Sequence, residues 1–157
     1  MAKTAKTDAR RERPSSQLTR DNLGFLLAKA SQRWNELLAD GFAAAGFPEV
    51  RPSYGSILVP LYEEDGLRMG EIARRARLSK QTMTTMVRLL ERDGLVERRS
   101  DPKDGRAALV FLTKRAQAFR PVAEATLRDL ARRARRRVGT ATADAVSDAL
   151  RQLTELE

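Results

Sequence analysis

Two side-chain types that carry much of enzyme chemistry are missing from this 157-residue sequence, which contains no cysteine and no histidine. Without Cys there is no thiol nucleophile, disulfide or thiolate metal site, and without His there is no imidazole base and no usual zinc site. A carboxylate pair or a lysine could still catalyse a reaction, but we find no glycine-rich phosphate loop and no acidic pair isolated in an apolar setting. We therefore expect a protein that is not an enzyme and that needs no metal or cofactor.

The side chains best suited to recognition lie between Lys80 and Arg92. If the apolar residues Met83, Met86, Val87 and Leu90 face inward on a helix, a polar face remains on the other side. That face consists of Gln81, Thr84, Thr85, Arg88 and Arg92, with Lys80 and Thr82 at its flanks. Gln suits adenine, Arg suits guanine, and a Thr methyl can meet a thymine methyl while its hydroxyl serves a phosphate. On its pattern alone, such a face is more commonly just solvated.

A second cluster of charge follows Gly94. The runs Leu95–Arg99 and Ala107–Leu112 are typical of strands, and the polar residues 100–106 between them predict a hairpin tip. Arg106 at that tip could enter a minor groove, whereas phosphate would repel Asp104, which we expect to fix the turn and to orient Arg106 or another arginine. Backbone phosphates would then be met by Arg98, Arg99 and Lys103. The alternative is an ordinary charged hairpin.

The charge balance agrees with a polyanionic partner but does not establish one. Lys and Arg number 30 against 21 Asp and Glu, a net charge of +9. Residues 67–113 have 11 basic and 6 acidic side chains, and residues 114–137 have 9 and 2, while residues 17–66 and 138–157 each have a net charge of −3. Such a cationic middle suits nucleic acid, although a soluble Arg-rich protein is equally compatible with it. No apolar run approaches the roughly 18 residues of a membrane span, so we expect a chain that is neither membrane-spanning nor secreted.

The apolar spacing predicts the elements that must position these side chains. It indicates a long amphipathic helix from Leu18 to about Phe42, and a shorter one over Ser53–Glu64 that Pro60 should kink or shorten. Next, a short helix from Met69 should stop near Arg77-Leu78, with Ser79 capping the helix that bears the polar face and Gly94 closing it. Two helices about three residues apart are typical of a helix-turn-helix.

The sequence predicts a tail at the N-terminal end of the chain and two helices at the C-terminal end. Residues 1–16 are basic and almost without apolar side chains, which predicts a flexible tail. After Thr113, a suitable cap, a long amphipathic helix runs to Val138, and a last helix follows Gly139-Thr140. The long helix ends in a dense cluster of arginines: Arg132, Arg133, Arg135, Arg136 and Arg137. We expect these to pair with acidic residues of the last helix, Asp144, Asp148, Glu155 and Glu157, or with a partner subunit, or to be solvated.

The stretch from Met69 to Thr113 resembles the winged helix-turn-helix of the MarR family of bacterial transcription regulators. The most specific piece is Asp104-Gly105-Arg106 followed, after five residues, by Leu112-Thr113. The segments Leu78–Thr82 and Leu90–Val96 resemble the entry and exit of the family's recognition helix. Pro60 and the basic tail are not part of the family pattern, and the lack of Cys and His sets aside its thiol-oxidation and zinc-sensing branches.

The resemblance implies a mainly α fold with a small β-hairpin wing, in which residues 17–157 form one domain. Within it, residues 67–113 would be the winged helix-turn-helix, and residues 17–45 and 114–157 the dimerisation helices. The implied function is a cytoplasmic homodimer that binds a pseudo-palindromic operator, by default as a repressor, with half-sites roughly 10 bp apart. Two rivals remain: a nonspecific architectural DNA-binding protein, and an adaptor that uses the same fold for protein contacts.

The resemblance also implies a site for a small aromatic effector between the dimer helices and the DNA-binding lobe. The matching region contains Phe25, Trp34, Tyr54 and Tyr62, with Arg33 as a nearby cation. Such a set would suit an aromatic carboxylate. At helical spacing, however, aromatic residues are more often plain core, and that alternative stays open.

Overall fold

The computed structural model describes residues 19–156, which are mainly helical with a small sheet. Its helices are α1 (Leu23–Ala44), α2 (Gly55–Glu63), α3 (Met69–Ala76), α4 (Lys80–Arg92), α5 (Lys114–Val138) and α6 (Thr140–Leu153), with a 3₁₀ turn at Pro52–Tyr54. Its strands are β1 (Leu67–Arg68), β2 (Val96–Asp101) and β3 (Asp104–Leu112). The fold is therefore the mainly α architecture with a β wing that the sequence predicts. The basic tail predicted for residues 1–16, together with Gln17, Leu18 and Glu157, lies outside the described residues.

The described residues separate into two compact units, which divide between Trp34 and Asn35. The described part of the first unit is the N-terminal portion of α1. This helix begins at Leu23 rather than at the predicted Leu18, because Asn22 Oδ1 accepts the Phe25 N–H at 2.9 Å as a cap. Leu23, Phe25 and Leu26 are exposed, and Trp34 is half-buried.

The core of the second unit lies where α2, α3 and α4 pack together. The largest of its fully buried side chains are Tyr54, Ile57, Leu58, Leu61, Ile72, Met83, Val87, Leu90, Leu95 and Val110. Three of the four residues predicted to face inward on α4 are thus fully buried, and Met86 is half-buried. Pro60 lies inside α2, which has nine residues: it begins at Gly55 rather than at the predicted Ser53, and it ends at Glu63, where the Glu64 N–H meets the Pro60 carbonyl.

The sheet adds a strand that the sequence reading missed. Antiparallel strands run in the order β1-β3-β2, and the two-residue β1 pairs Leu67 with Val110. Gly66, just before β1, has φ +71°, and a Cβ there would lie 2.6 Å from the Phe111 ring. Only glycine satisfies both conditions. The Asp65 carboxylate next to it accepts the Leu112 N–H at 2.9 Å and so ties this turn to β3.

The hairpin is tighter than predicted. Its strands extend to Asp101 and from Asp104, so Pro102 and Lys103 form the tip in place of the predicted loop over residues 100–106. Arg106 therefore does not lie at the tip but two residues into β3, where the register is irregular: Ser100 pairs with Ala108 while Asp101 pairs with Asp104. The prediction failed because an irregular strand breaks the alternating pattern on which strand limits were read.

The last two helices follow their predicted caps. Thr113 Oγ1 accepts the Ala116 N–H at 3.2 Å at the start of α5, and Gly139, with φ +85°, separates α5 from α6. No residue of α6 is buried, and its apolar residues Val146 and Leu150 are 51 % and 42 % exposed. Among residues 19–156, no helix is apolar over a length that would cross a bilayer.

Candidate nucleic-acid interface

The helix-turn-helix is formed by α3, a three-residue turn and α4. The turn begins at Arg77, whose left-handed φ of +52° ends α3, with the Leu78 N–H bonded to the Ala73 carbonyl at 3.0 Å. Ser79 then accepts the Thr82 N–H at 3.1 Å through its hydroxyl, as a cap should. Both the stop near Arg77-Leu78 and the Ser79 cap are thereby confirmed.

The polar face of α4 is open over most of its length. Lys80, Gln81, Thr82, Thr85 and Arg88 are exposed. Among the described residues, no carboxylate forms an ion pair with Lys80 or Arg88, so both cations are available to an anionic partner. Thr84 is half-buried, and its hydroxyl donates to the Lys80 carbonyl at 2.8 Å. Its methyl group and the acceptor lone pairs of its hydroxyl oxygen are left for contact.

The C-terminal end of α4 is engaged within the protein. Arg92 Nε donates to Asp93 Oδ1 at 2.8 Å, and the Tyr54 hydroxyl donates to Asp93 Oδ2 at 2.6 Å. The Arg92 guanidinium, and then the Tyr54 hydroxyl, hold the pKa of Asp93 below its ordinary value. Gly94 closes the helix with φ +73°, as the sequence predicts. Arg92, expected on the outward face, is thus partly committed to Asp93.

The arginines of β2 are paired with carboxylates. Arg98 Nε donates to Glu91 Oε1 at 2.8 Å, which joins the wing to α4. Arg99 pairs with Glu97 and lies over the Phe111 ring at 4.5 Å. Both remain exposed, so they can face a backbone phosphate, but in competition with these partners.

Asp101 is a wing residue that the sequence reading missed. It is 5 % exposed, the most deeply buried charged side chain among the described residues. It accepts the Lys103 N–H at 2.8 Å and the Arg68 Nε–H at 2.8 Å, and these two donors keep its pKa below the ordinary value. An aspartate placed directly before a turn proline, with its carboxylate reaching two residues ahead, is the signal that could have found it.

Asp104 fills only part of its predicted role. Its carboxylate accepts the Arg106 backbone N–H at 3.2 Å and so fixes the turn. The carboxylate that orients an arginine is instead Asp101, which holds Arg68. In the described part of the chain, no ion pair holds Arg106 or Lys103, and both side chains are exposed.

Two of the residues predicted for an aromatic effector, Tyr54 and Tyr62, form hydrogen bonds inside the second unit. Tyr54 is 1 % exposed, with its hydroxyl on Asp93, while the half-buried Tyr62 donates its hydroxyl to the Ala116 carbonyl at 2.6 Å. Burial raises the pKa of Tyr62 to about 12, so it stays a neutral donor. Phe25, Arg33 and Trp34 belong to the other unit. The effector site therefore stays a prediction.

An open groove of about 550 Å³ lies elsewhere, between α1 and α5, where Asp40, Gly41, Thr126, Asp129 and Arg133 are among its lining residues. Near it, the arginine cluster follows its expectation in part. Arg135 pairs with Asp144 of α6 at 2.7 Å, whereas Arg132 pairs with Asp129 of its own helix at 3.0 Å. Within residues 19–156, no three acidic side chains lie close enough to hold a metal ion.

Comparisons with known proteins agree with this geometry. The family model described as MarR family matches residues 52–108, which include α4 and most of the wing. The HTH-type transcriptional regulator TtmR of Methylorubrum extorquens is 38 % identical over 69 residues, which are 44 % of this chain and 35 % of that protein. The chain spans at most about half the length of the curated relatives it matches.

Solved structures extend the likeness to most of the described fold. A probable transcriptional regulator from Pseudomonas aeruginosa superimposes with a TM-score of 0.72 at 28 % identity, covering 85 % of this chain and 97 % of the other. The transcriptional repressor CouR, solved bound to a 23-mer DNA duplex, has a TM-score of 0.70 at 24 % identity and covers 89 % of this chain and 100 % of its own. At 24 % identity, the likeness to CouR shows a shared fold and nothing further.

Proposed function

The chain belongs to the MarR family of winged-helix regulators, and on that premise we propose that it is a sequence-specific DNA-binding repressor that acts as a homodimer. In this proposal α4 enters a major groove and the wing follows the adjacent backbone. CouR, with the same fold, was solved on DNA, which favours duplex DNA as the partner. The regulator would then work in the cytoplasm, where bacterial DNA lies.

The observation that carries the proposal is the exposed polar face of α4, on which Lys80 and Arg88 have no carboxylate partner among the described residues. Opposite charges three or four residues apart can pair along a helix, as Glu71 and Arg74 do on α3. On α4, Gln81, Thr84, Thr85 and Arg88 supply the groups that read base edges. Phosphates would be met by Lys80, Thr82, Arg98, Arg99 and Lys103, and the minor groove by Arg106.

Dimerisation is supported by apolar side chains that α5 and α6 leave exposed. Leu127, Val138, Val146 and Leu150 are each 42 % exposed or more. A two-fold dimer would cover them and present two copies of α4 to successive major grooves, roughly 10 bp apart. A small aromatic effector that prefers a different spacing of the two helices would then lower operator affinity by its differential affinity for the two states.

The test is selection of preferred duplexes from a random-sequence pool, followed by titration of the best duplex and of a random duplex at equal salt. We expect a preference of ~10³ or more for the selected duplex. A preference below about tenfold would favour the architectural binder, since specific readers far exceed it. Binding that shows no dependence on salt concentration would favour the adaptor.

Two arginine variants separate base reading from backbone contact. Arg88→Ala should lower affinity for the selected duplex about tenfold and relax preference at one base position, because a base contact is worth roughly 1–3 kcal/mol. Arg99→Ala should weaken every sequence alike and reduce the salt slope by about 1. Fluorescence anisotropy over a series of salt concentrations measures both. Variants that both bind like the parent protein would refute this assignment of contacts.

A further inference from the structure

The segment that joins α1 to α2, residues 45–54 (hereafter the connecting segment), is held from one side by the first turn of α5. Arg115 donates from Nη2 to the Gly46 carbonyl at 2.6 Å and from Nε to Glu49 Oε1 at 2.7 Å. Its guanidinium also lies 3.8 Å from the Phe47 ring centroid. Three contacts from one side chain leave the connecting segment little freedom to shift against α5.

The other end of the connecting segment reaches α4. Tyr54, its last residue, is 1 % exposed and donates its hydroxyl to Asp93 Oδ2 at 2.6 Å. Asp93 directly follows α4, its side chain is only 13 % exposed, and its other oxygen accepts from Arg92. A short bond to a shielded carboxylate is stronger than one between neutral groups in water. The C-terminal end of α4 is thereby joined to the connecting segment.

The hydrogen bond between Tyr54 and Asp93 restricts the orientation of α4 more closely than packing alone does. The apolar contacts of Met83, Val87 and Leu90 hold α4 against the core, but such contacts are non-directional and tolerate small rotations and slides of a helix. A hydrogen bond requires a defined distance and angle. Arg88 lies little more than one helical turn before Asp93, so a rotation at this end would displace its guanidinium. Recognition geometry tolerates only about 0.5 Å and 10–20°.

We propose that Tyr54 is a positioning residue for the recognition helix: its hydroxyl, through Asp93, sets the orientation of α4 and thereby the discrimination between DNA sequences, without touching DNA. This inference rests on the proposed function, because it assumes that α4 reads base edges. It assigns to Tyr54 a role other than the effector contact that the resemblance implies.

Tyr62 provides a matched control for Tyr54. Its hydroxyl also donates at 2.6 Å, but to the Ala116 carbonyl on α5, and this bond does not involve α4. Tyr54→Phe and Tyr62→Phe therefore each delete one hydroxyl from a tyrosine that packs inside the second unit. A merely structural role predicts similar consequences for both.

We expect Tyr54→Phe to weaken binding to the selected duplex about five- to tenfold while affinity for a random duplex stays within about twofold. Tyr62→Phe should lower the melting temperature comparably and leave the ratio of the two affinities unchanged. Asp93→Ala should reduce that ratio as Tyr54→Phe does, and the double variant should be no worse than Asp93→Ala, because both remove the same interaction. Additive losses, or equal losses of the ratio in the two phenylalanine variants, would overturn the proposal.

A second measurement on the DNA-free protein tests the positioning itself. Amide hydrogen exchange over Arg88–Arg92 should be faster in Tyr54→Phe than in the parent protein and unchanged in Tyr62→Phe. Unchanged exchange in both variants would overturn the proposal even if α4 binds DNA. If the parent protein prefers no duplex, the proposed function fails, while faster exchange in Tyr54→Phe alone would still establish the anchoring of α4.

Discussion

The winged helix-turn-helix and the last helix, α6, differ in how far their apolar side chains are buried. In residues 67–113, Ile72, Val87, Leu90 and Val110 are fully buried. In α6, which has a comparably regular apolar stripe, no residue is buried, and Val146 and Leu150 are about half exposed. Both regions satisfy the same sequence pattern for an amphipathic helix.

The difference shows that a helical stripe in a sequence specifies a buried face without specifying what covers it. The helix-turn-helix finds its cover within the same chain, in α2 and the sheet. Within the described residues α6 packs mainly on α5, and Val146 and Leu150 on its apolar side stay about half exposed. Contiguous exposed apolar residues typically mark a protein interface. A second copy of the chain is the cover that the proposed function supplies.

The largest expected effect comes from charging the exposed stripe. Leu150→Glu should convert the proposed dimer to monomers, because a carboxylate would be buried without a partner in the interface. Affinity for the selected duplex should then fall about 100-fold or more, since the two half-sites are no longer bound together. Light scattering after size-exclusion chromatography measures the mass, and anisotropy measures the affinity.

Gln152→Glu is the control for this change, because it adds the same charge on the polar side of α6, where Gln152 is exposed. It should leave both mass and affinity near those of the parent protein. If the parent protein is a monomer, or if Leu150→Glu remains a dimer, the apolar stripe of α6 is simply solvated and is not an interface.

A smaller effect is expected inside the winged region, from its buried carboxylate. Asp101→Ala leaves the Lys103 N–H and the Arg68 guanidinium without their acceptor and should lower the melting temperature by about 5–10 °C. Binding to any duplex should weaken roughly tenfold, because the wing loses its fixed conformation. Asp104→Ala removes an exposed carboxylate with one 3.2 Å backbone contact and should change the melting temperature by less than about 2 °C. Equal losses of melting temperature in both variants would show that the buried Asp101 carboxylate contributes no more to stability than the exposed Asp104 carboxylate.

The smallest expected effect is a pH dependence of this same site. The folded pKa of Asp101 lies below its ordinary value, so its stabilisation is present above the unfolded pKa of about 3.9 and is lost as the pH falls through the folded value. The difference in melting temperature between the parent protein and Asp101→Asn should therefore be constant from about pH 5 to 7 and shrink below about pH 4. Thermal melts by circular dichroism measure it. A difference that grows in acid would contradict the assigned sign.

Local signals in the sequence were sufficient to predict most of the helix-turn-helix and the caps of its neighbouring helices. The caps at Ser79 and Thr113 and the positive φ of Gly94 depend on residues within a few positions, and all three are as expected. The inward face of α4 follows from helical periodicity, and the structure confirms it for Met83, Val87 and Leu90. Each of these features follows from a preference that the sequence displays directly.

Features that depend on distant residues were beyond a sequence reading. The bond between Tyr54 and Asp93 spans 39 positions, and that between Arg68 and Asp101 spans 33. A two-residue strand such as β1 has too few positions to show any alternation and exists only because β3 supplies its partner. The position of Arg106 could not be read because the irregular register of the hairpin is a property of two strands together.

The close approach of Gly66 to Phe111 limits how the wing could be transplanted. Position 66 combines a left-handed backbone with a neighbouring Phe111 ring that leaves no room for a Cβ. If Gly66 were replaced by a larger residue, a smaller side chain at position 111 would relieve the crowding but not the backbone strain. A protein engineer who grafts residues 95–113 alone onto another scaffold would leave behind the turn that seats the aromatic ring. The transferable module begins at Asp65, some thirty residues before the hairpin it serves.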